Sequence, residues 1–144
     1  MNTYTEDQAV RRIEQLIRDT AATLTPRPRL ELIASSVPPN LCLSDEDRVV
    51  LNRKYWLRDI PKSANMAISR QVRAFWEKSG YPITAVGGQD NPRVSGESKP
   101  DSFILALGWA EGDDLYLAAT SPCVTPDAPT APATPPATPA PPQR

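Results

Sequence analysis

Residues 103–120 read FILALGWAEGDDLYLAAT, and this stretch decides the fold. Large apolar side chains recur at every second position from Phe103 to Trp109, and again from Leu115 to Ala119. That period of two is typical of strands with one buried face. The connection at 110–114 contains Glu-Gly-Asp, which has turn chemistry. The stretch therefore predicts a β-hairpin near the end of the domain.

Two amphipathic helices precede this hairpin. The first is predicted over 6–24, because Thr5 and Gln8 fit a capping box and Pro26 prevents continuation. The second is predicted over 61–79, with proline in its first turn and Gly80 as its stop signal. Each helix carries a single apolar stripe, so each is expected to pack against the core with one face.

The remaining periodic segments predict strands. They cover Arg29–Val37, Arg48–Ile60 and Tyr81–Val86, and Cys42 is expected in the loop between the first two. The polar stretch Gly87–Pro100 is interpreted either as a mobile loop or as a weak strand through 93–96. This order favours an α+β fold, in which an antiparallel β-sheet carries both α-helices on one side.

The chain is predicted to hold one domain, residues 1–124, followed by a Pro/Ala/Thr-rich tail over 125–144. Such a composition cannot bury enough apolar surface to fold, so the tail is expected to be disordered and extended.

Composition excludes several classes of site. The chain has no histidine, so it lacks Ser-His-Asp and Cys-His constellations and the commonest metal ligand. Its 16 basic and 17 acidic side chains give a net charge of −1, which argues against a nucleic-acid-binding protein. We predict no catalytic residue, no cofactor and no metal site, and we do not expect an enzyme.

A basic and aromatic group is the most plausible contact surface for a partner. It consists of Arg53, Lys54, Tyr55, Trp56 and Arg58, within one predicted strand. Such a group can stack single-stranded nucleic acid, but the nearly neutral chain favours a solvated sheet face that meets another polar partner.

Cys42 and Cys123 are the two cysteines of the chain, and their spacing fits neither a metal-binding pair nor a redox motif. Two interpretations stay open from the residues alone: two unrelated buried thiols, or one disulfide. A disulfide would indicate an environment outside the reducing cytosol.

The chain resembles a group of small, uncharacterised actinobacterial secreted lipoproteins. The resemblance covers about 30–124 and rests on KYWLRDIP at 54–61, FWEKSGY at 75–81 and the closing SPCV at 121–124. It implies a Cys42–Cys123 disulfide and an extracytoplasmic location, either in the cell envelope or in the secreted fraction. It implies no established activity. Members of that group usually begin with a signal peptide and a lipid-modified cysteine, neither of which this sequence shows, and many have Trp-Pro where this chain has Thr125 and Pro126.

The sequence thus predicts a monomeric, non-catalytic binding or accessory module that contacts an unknown envelope protein or ligand. Contact with a membrane is expected only through a lipid anchor that this chain lacks. The alternative is an inhibitor or immunity-type protein that acts through the Gly87–Pro100 stretch.

Overall fold

The computed structural model describes residues 4–42 and 45–126, and for residues 45 and 46 it describes the backbone alone. Within these ranges two α-helices and eight β-strands follow one another. They are α1 (Glu6–Ala22), β1 (Arg29–Leu32), β2 (Asn40–Cys42), β3 (Asp45–Val50), β4 (Asn52–Arg58), α2 (Asn65–Lys78), β5 (Ile83–Gly87), β6 (Arg93–Glu97), β7 (Ile104–Trp109) and β8 (Leu115–Thr120).

Six of these strands form the main sheet, in the order β1-β4-β8-β7-β6-β5, and every neighbouring pair is antiparallel. The predicted hairpin of 103–120 is confirmed as β7 and β8, which lie at the centre of the sheet. Strands β2 and β3 form a separate antiparallel pair. The predicted fold class, an antiparallel sheet with two helices on one side and one disulfide, is confirmed.

The helices begin and end largely where their local signals place them. At the start of α1 the Gln8 amide donates to the Thr5 hydroxyl at 3.2 Å, and the Thr5 amide donates to the Gln8 side chain at 3.0 Å. This is the predicted capping box. After α2, Gly80 adopts φ +82°, a conformation that glycine reaches without a steric penalty.

The core lies between the helices and one face of the sheet. Helix α1 packs on β4 and β8, whereas α2 packs on β5 and β6. Trp76 of α2 is completely buried, and its indole nitrogen donates to the hydroxyl of Thr20 in α1 at 2.9 Å. The two helices are thus joined to each other as well as to the sheet.

Two predicted strands are shorter in the structure than the sequence predicts, and in each case a serine hydroxyl stabilises the change. The predicted strand Arg29–Val37 ends at Leu32, and a 3-10 turn follows at Ala34–Ser36. The Ser36 hydroxyl donates to the Ile33 carbonyl and accepts from the Lys54 amide, which stabilises this turn.

The predicted strand Arg48–Ile60 divides into β3 and β4 at Leu51. The Leu51 amide donates to the hydroxyl of Ser121, and the Ser121 amide donates to the Leu51 carbonyl. The chain therefore leaves the small sheet and enters the large one at Leu51. Cys42, predicted in a loop, is instead the last residue of β2.

The cysteines form a disulfide between Cys42 and Cys123, whose Cα atoms lie 5.8 Å apart. Next to this bond, Val49 and Val124 exchange a pair of backbone hydrogen bonds. The segment after β8 is thus attached to the small sheet. Within the described ranges, no helix has the length and apolar character needed to cross a membrane.

Thr125, which the sequence assigns to the tail, bridges to Thr5 beside the start of α1, and its carbonyl accepts from the Glu6 amide at 3.1 Å. The predicted disorder of the tail concerns mostly residues 127–144, which lie outside the described residues.

Candidate functional site

The face of the main sheet opposite the helices carries the candidate site. Side chains alternate between the two faces of a strand, so Lys54, Trp56 and Arg58 of β4 share this outer face. On the neighbouring strand β8, Tyr116 lies directly opposite Trp56. We call the group of Lys54, Trp56, Arg58 and Tyr116 the aromatic face.

The two rings of the aromatic face meet edge to face. Their centroids are 6.0 Å apart and their planes are at 89°, an arrangement that ring quadrupoles favour. The Lys54 ammonium lies 5.5 Å from the centroid of the Tyr116 ring, and the Arg58 guanidinium lies 5.1 Å from that of Trp56. Both distances are within cation–π range, so the four side chains hold one another in place.

The floor beneath the Tyr116 ring is Gly108 of β7. A Cβ atom added at Gly108 would lie 2.1 Å from the Tyr116 Cζ atom, so the ring lies directly over this glycine. A glycine in the middle of a strand is often a site of such close approach. The position of Tyr116 thus depends on the absence of a side chain at position 108.

We expect Gly108→Ala to lower the free energy of unfolding by about 2 kcal/mol, because the added methyl must displace the Tyr116 ring. Urea unfolding measures the loss, and the near-ultraviolet circular dichroism of the aromatic face should change with it. Gly87→Ala is the matched control, since no atom lies within 4 Å of a Cβ at that position. Equal stability of the two variants would contradict the placement of the ring.

A hollow of about 310 Å³ opens beside the rings, between the aromatic face and the 3-10 turn after β1. Its walls combine aromatic rings with hydroxyl, amide and ammonium groups. The lining residues are Ile33, Ser35, Ser36, Asn52, Lys54, Trp56 and Tyr116. The hollow can therefore accept a side chain that has an apolar body and a polar end.

Charged groups lie along one side of the aromatic face. Arg58 donates to Glu31 at 2.9 Å, and this hydrogen bond and the Arg58 charge lower the pKa of Glu31. A hydrogen bond from Lys62 likewise lowers the pKa of Asp114. Both carboxylates are therefore ionised at neutral pH and in mild acid. Lys54 forms no ion pair with any described residue, so its charge is available to a ligand.

The structure brings together only part of the predicted basic and aromatic group. Tyr55 faces the helices, and its hydroxyl donates to Glu14 of α1 at 2.5 Å. Burial and this hydrogen bond raise the pKa of Tyr55 to about 12. Arg53 has the parity of Tyr55 and donates to the Val37 carbonyl at 3.2 Å. The pleat of β4 thus separates Tyr55 and Arg53 from the aromatic face.

Tyr116 is the residue of this site that sequence reasoning missed. The alternation of Leu115 and Leu117 already placed it on the outer face of its strand. Nothing in the sequence showed that β8 pairs with β4, 60 residues earlier, and the contact of Tyr116 with Trp56 depends on that register.

A second polar cluster joins α1 to the turn between β6 and β7. The buried Asp101 carboxylate accepts from Arg12 at 2.7 Å, from Tyr4 at 2.9 Å and from Ser98 at 2.5 Å. Burial alone would raise the pKa of Asp101, but these hydrogen bonds and the Arg12 charge lower it overall. Because the carboxylate is enclosed by its own donors, we interpret the cluster as a structural link.

Two further acidic residues, Glu97 and Asp113, each have contacts of their own outside this cluster. Glu97 pairs with Lys99 at 3.0 Å. Asp113 has a left-handed backbone conformation, and its backbone carbonyl accepts a hydrogen bond from the Asn65 side chain. In the described part of the chain, no three metal-ligating side chains come together.

The Gly87–Pro100 stretch, considered for an inhibitory loop, contains a regular strand. Its residues 93–97 form β6, which pairs with β5 on one side and β7 on the other. Of the two interpretations of this stretch, the strand is the one confirmed. Within this stretch, residues 88–92 and 98–100 lie outside the strands.

The geometry thus separates a partly exposed aromatic face from a buried polar link. Any family assignment has to come from comparison with known proteins. Searches with this chain against protein-family models, curated proteins and solved structures find no match.

Proposed function

We propose that this protein is a non-catalytic binding module of the cell envelope or the secreted fraction, and that it binds a protein partner through the aromatic face. The observation that supports this proposal most strongly is the edge-to-face pair of Trp56 and Tyr116, on a sheet face that neither helix covers. Trp, Tyr and Arg are the residue types most enriched among the residues that dominate binding energy at protein interfaces.

The shape and chemistry of the aromatic face favour a protein over a small molecule. The rings lie on a flat sheet, and their hollow of about 310 Å³ is at the lower end of small-molecule sites. It suits one anchoring side chain of a partner. The Lys54 ammonium at the wall of this hollow favours an acidic group beside that anchor.

The rings are held before any partner arrives. Cations lie over both ring faces, and Gly108 supports Tyr116 from below. Side chains that are already ordered lose little conformational entropy on binding, so more of the contact energy appears as affinity.

An extracytoplasmic location is supported by the disulfide between Cys42 and Cys123, because such bonds persist in oxidising compartments. The resemblance of residues 30–124 to secreted lipoproteins supports the same location. The non-catalytic part of the proposal is supported by the structural contacts of Asp101 and Glu97, described above.

The proposal predicts that a photo-reactive residue at position 54 captures a specific partner in cells of the native host. The same residue at position 78, an exposed site on α2, is the position control. One cross-linked species specific to position 54, analysed by mass spectrometry, is the expected result. Identical cross-links from both positions would contradict the proposed surface.

Trp56→Ala should then weaken binding of the captured partner about 30-fold, the size of a dominant interface residue. Ile104→Ala is the matched control, because Ile104 is exposed on β7 away from the rings, and its effect should stay below about threefold. Affinities are measured by titration calorimetry on variants with wild-type unfolding curves. A folded Trp56→Ala variant with unchanged affinity would contradict the proposal.

A further inference from the structure

The edge strand β5 is the second surface that the fold leaves without a partner. It pairs with β6 on one side and ends the main sheet on the other. An edge strand presents unpaired backbone N–H and C=O groups, and native proteins usually protect such edges with charges, prolines or short length. The exposed residues Thr84, Ala85 and Val86 supply no charge to this edge.

The opposite edge of the same sheet is protected. Strand β1 carries two charged side chains, Arg29 and Glu31, and both form ion pairs. The two edges of the main sheet therefore differ, because only β5 presents its backbone N–H and C=O groups without charged side chains on the same strand. The register is irregular between Ile83 and Ala85, so Ala85–Gly87 is the regular part of this edge.

A groove of about 600 Å³ runs between β5 and α2. The residues that line it on the strand side include Tyr81, Pro82, Ile83 and Val86. When an extended peptide adds to a sheet edge, every second side chain points toward such a groove, while the backbone extends the sheet. The groove thus supplies the side-chain contacts that a bare edge lacks.

The helix stripe that borders the groove contributes Arg73 and Glu77 to its lining, and Arg70 lies one turn further along the same stripe. Arg70, Arg73 and Glu77 follow one another at helical spacing on α2, so they share one stripe. Arg73 pairs with Glu77 at 3.4 Å, whereas Arg70 forms no ion pair with any described residue. The stripe thus has one positive charge that no ion pair offsets, and it favours an acidic side chain beside Arg70, at the margin of the groove.

We propose that β5 binds an extended, acidic segment of a protein partner as a seventh strand of the main sheet, with alternate side chains in the groove beside α2. A second copy of this chain fits less well, because edge-to-edge pairing would bring two identical basic helix stripes together. The chain's own tail also fits less well, because 8 of the 20 residues from Thr125 to Arg144 are prolines, which have no N–H for a ladder.

The test uses the full, oxidised chain and two synthetic probes: a six-residue peptide that alternates glutamate with valine, and a counterpart that alternates lysine with valine. We expect the acidic peptide to bind at least 10-fold more tightly. In NMR spectra it should shift amides of Ala85–Gly87 and of the Arg70–Glu77 stripe, and it should slow hydrogen exchange at Ala85–Gly87.

Arg73→Glu should weaken the acidic peptide at least fivefold. Arg11→Glu is the matched control, since Arg11 is also an exposed helix residue, on α1, and has a similar ion pair, with Asp7. Ala85→Pro should abolish binding. If that variant does not fold, Arg73→Glu and the charge preference decide, because Arg73 is exposed and its loss does not disturb the core.

Several results would overturn the proposal. They are equal affinity for both peptides, no binding of either, and amide shifts confined to the aromatic face. Protection of Ala85–Gly87 in the free protein would also overturn it: protection that grows with protein concentration would assign the edge to a second copy, and protection independent of concentration to the chain's own tail.

Discussion

Removing the disulfide by the double substitution Cys42→Ala and Cys123→Ala is expected to lower the free energy of unfolding by about 4 kcal/mol. The bond joins residues 81 positions apart, so it removes a large loop entropy from the unfolded chain. The total free energy of unfolding of a small domain is about 5–15 kcal/mol. The variant should therefore unfold at a much lower urea concentration than the wild type.

Reduction of the wild-type protein is the matching experiment. Wild type with both thiols reduced should unfold at the midpoint of the double variant, and the double variant should not respond to reductant. A reduced protein with an unchanged midpoint would contradict the stabilising role of the bond.

Thiol labelling extends this test to the proposed location. Protein isolated without reductant from its native host and then denatured should take up label only after reductant is added. Two freely labelled thiols would contradict the extracytoplasmic proposal.

Asp101→Asn is expected to lower the free energy of unfolding by about 3 kcal/mol. The substitution keeps the shape of the side chain but leaves the mostly buried Arg12 guanidinium without its counter-charge. It also replaces one acceptor oxygen by a donor, so either Ser98 or the pair of Arg12 and Tyr4 meets an amide group. Thermal and urea unfolding measure the loss.

The same carboxylate predicts a dependence of stability on pH. The folded-state pKa of Asp101 is lower than its unfolded value of about 4. Its contribution is therefore fully present above about pH 4 and is lost as the pH falls through the folded-state pKa. The stability difference between wild type and Asp101→Asn should shrink over that acid range.

Asp59→Asn is the control for an ion pair in solvent. Asp59 and Arg29 are both more than half exposed, so this change should cost less than about 1 kcal/mol at any pH. An Asp101→Asn variant that behaves like this control would contradict the structural link between α1 and the 98–103 turn.

Features set by neighbouring residues could be predicted from the sequence. The capping box at Thr5, the stop at Gly80 and the hairpin of β7 and β8 each depend on residues a few positions apart. The alternation of side chains also placed Tyr55 and Leu57 on the buried face of β4. The predicted basic and aromatic group included Tyr55 because it was chosen by residue type and not by this alternation.

Features set by distant residues could not be predicted. The division of β3 from β4 depends on Ser121, 70 positions from Leu51. The candidate site depends on the pairing of β4 with β8, which places Tyr116 beside Trp56. Without that pairing, the sequence identified three of the four side chains of the aromatic face and missed Tyr116.

The pairing of Thr5 with Thr125 has a mechanical consequence. Because the first and last parts of the described fold lie side by side, a tether attached at either end would hold the domain at the same pole. The sheet, its outer face and its free edge would keep one orientation toward the anchoring surface in both cases. Attachment at either end would therefore leave the proposed binding surfaces facing the same way.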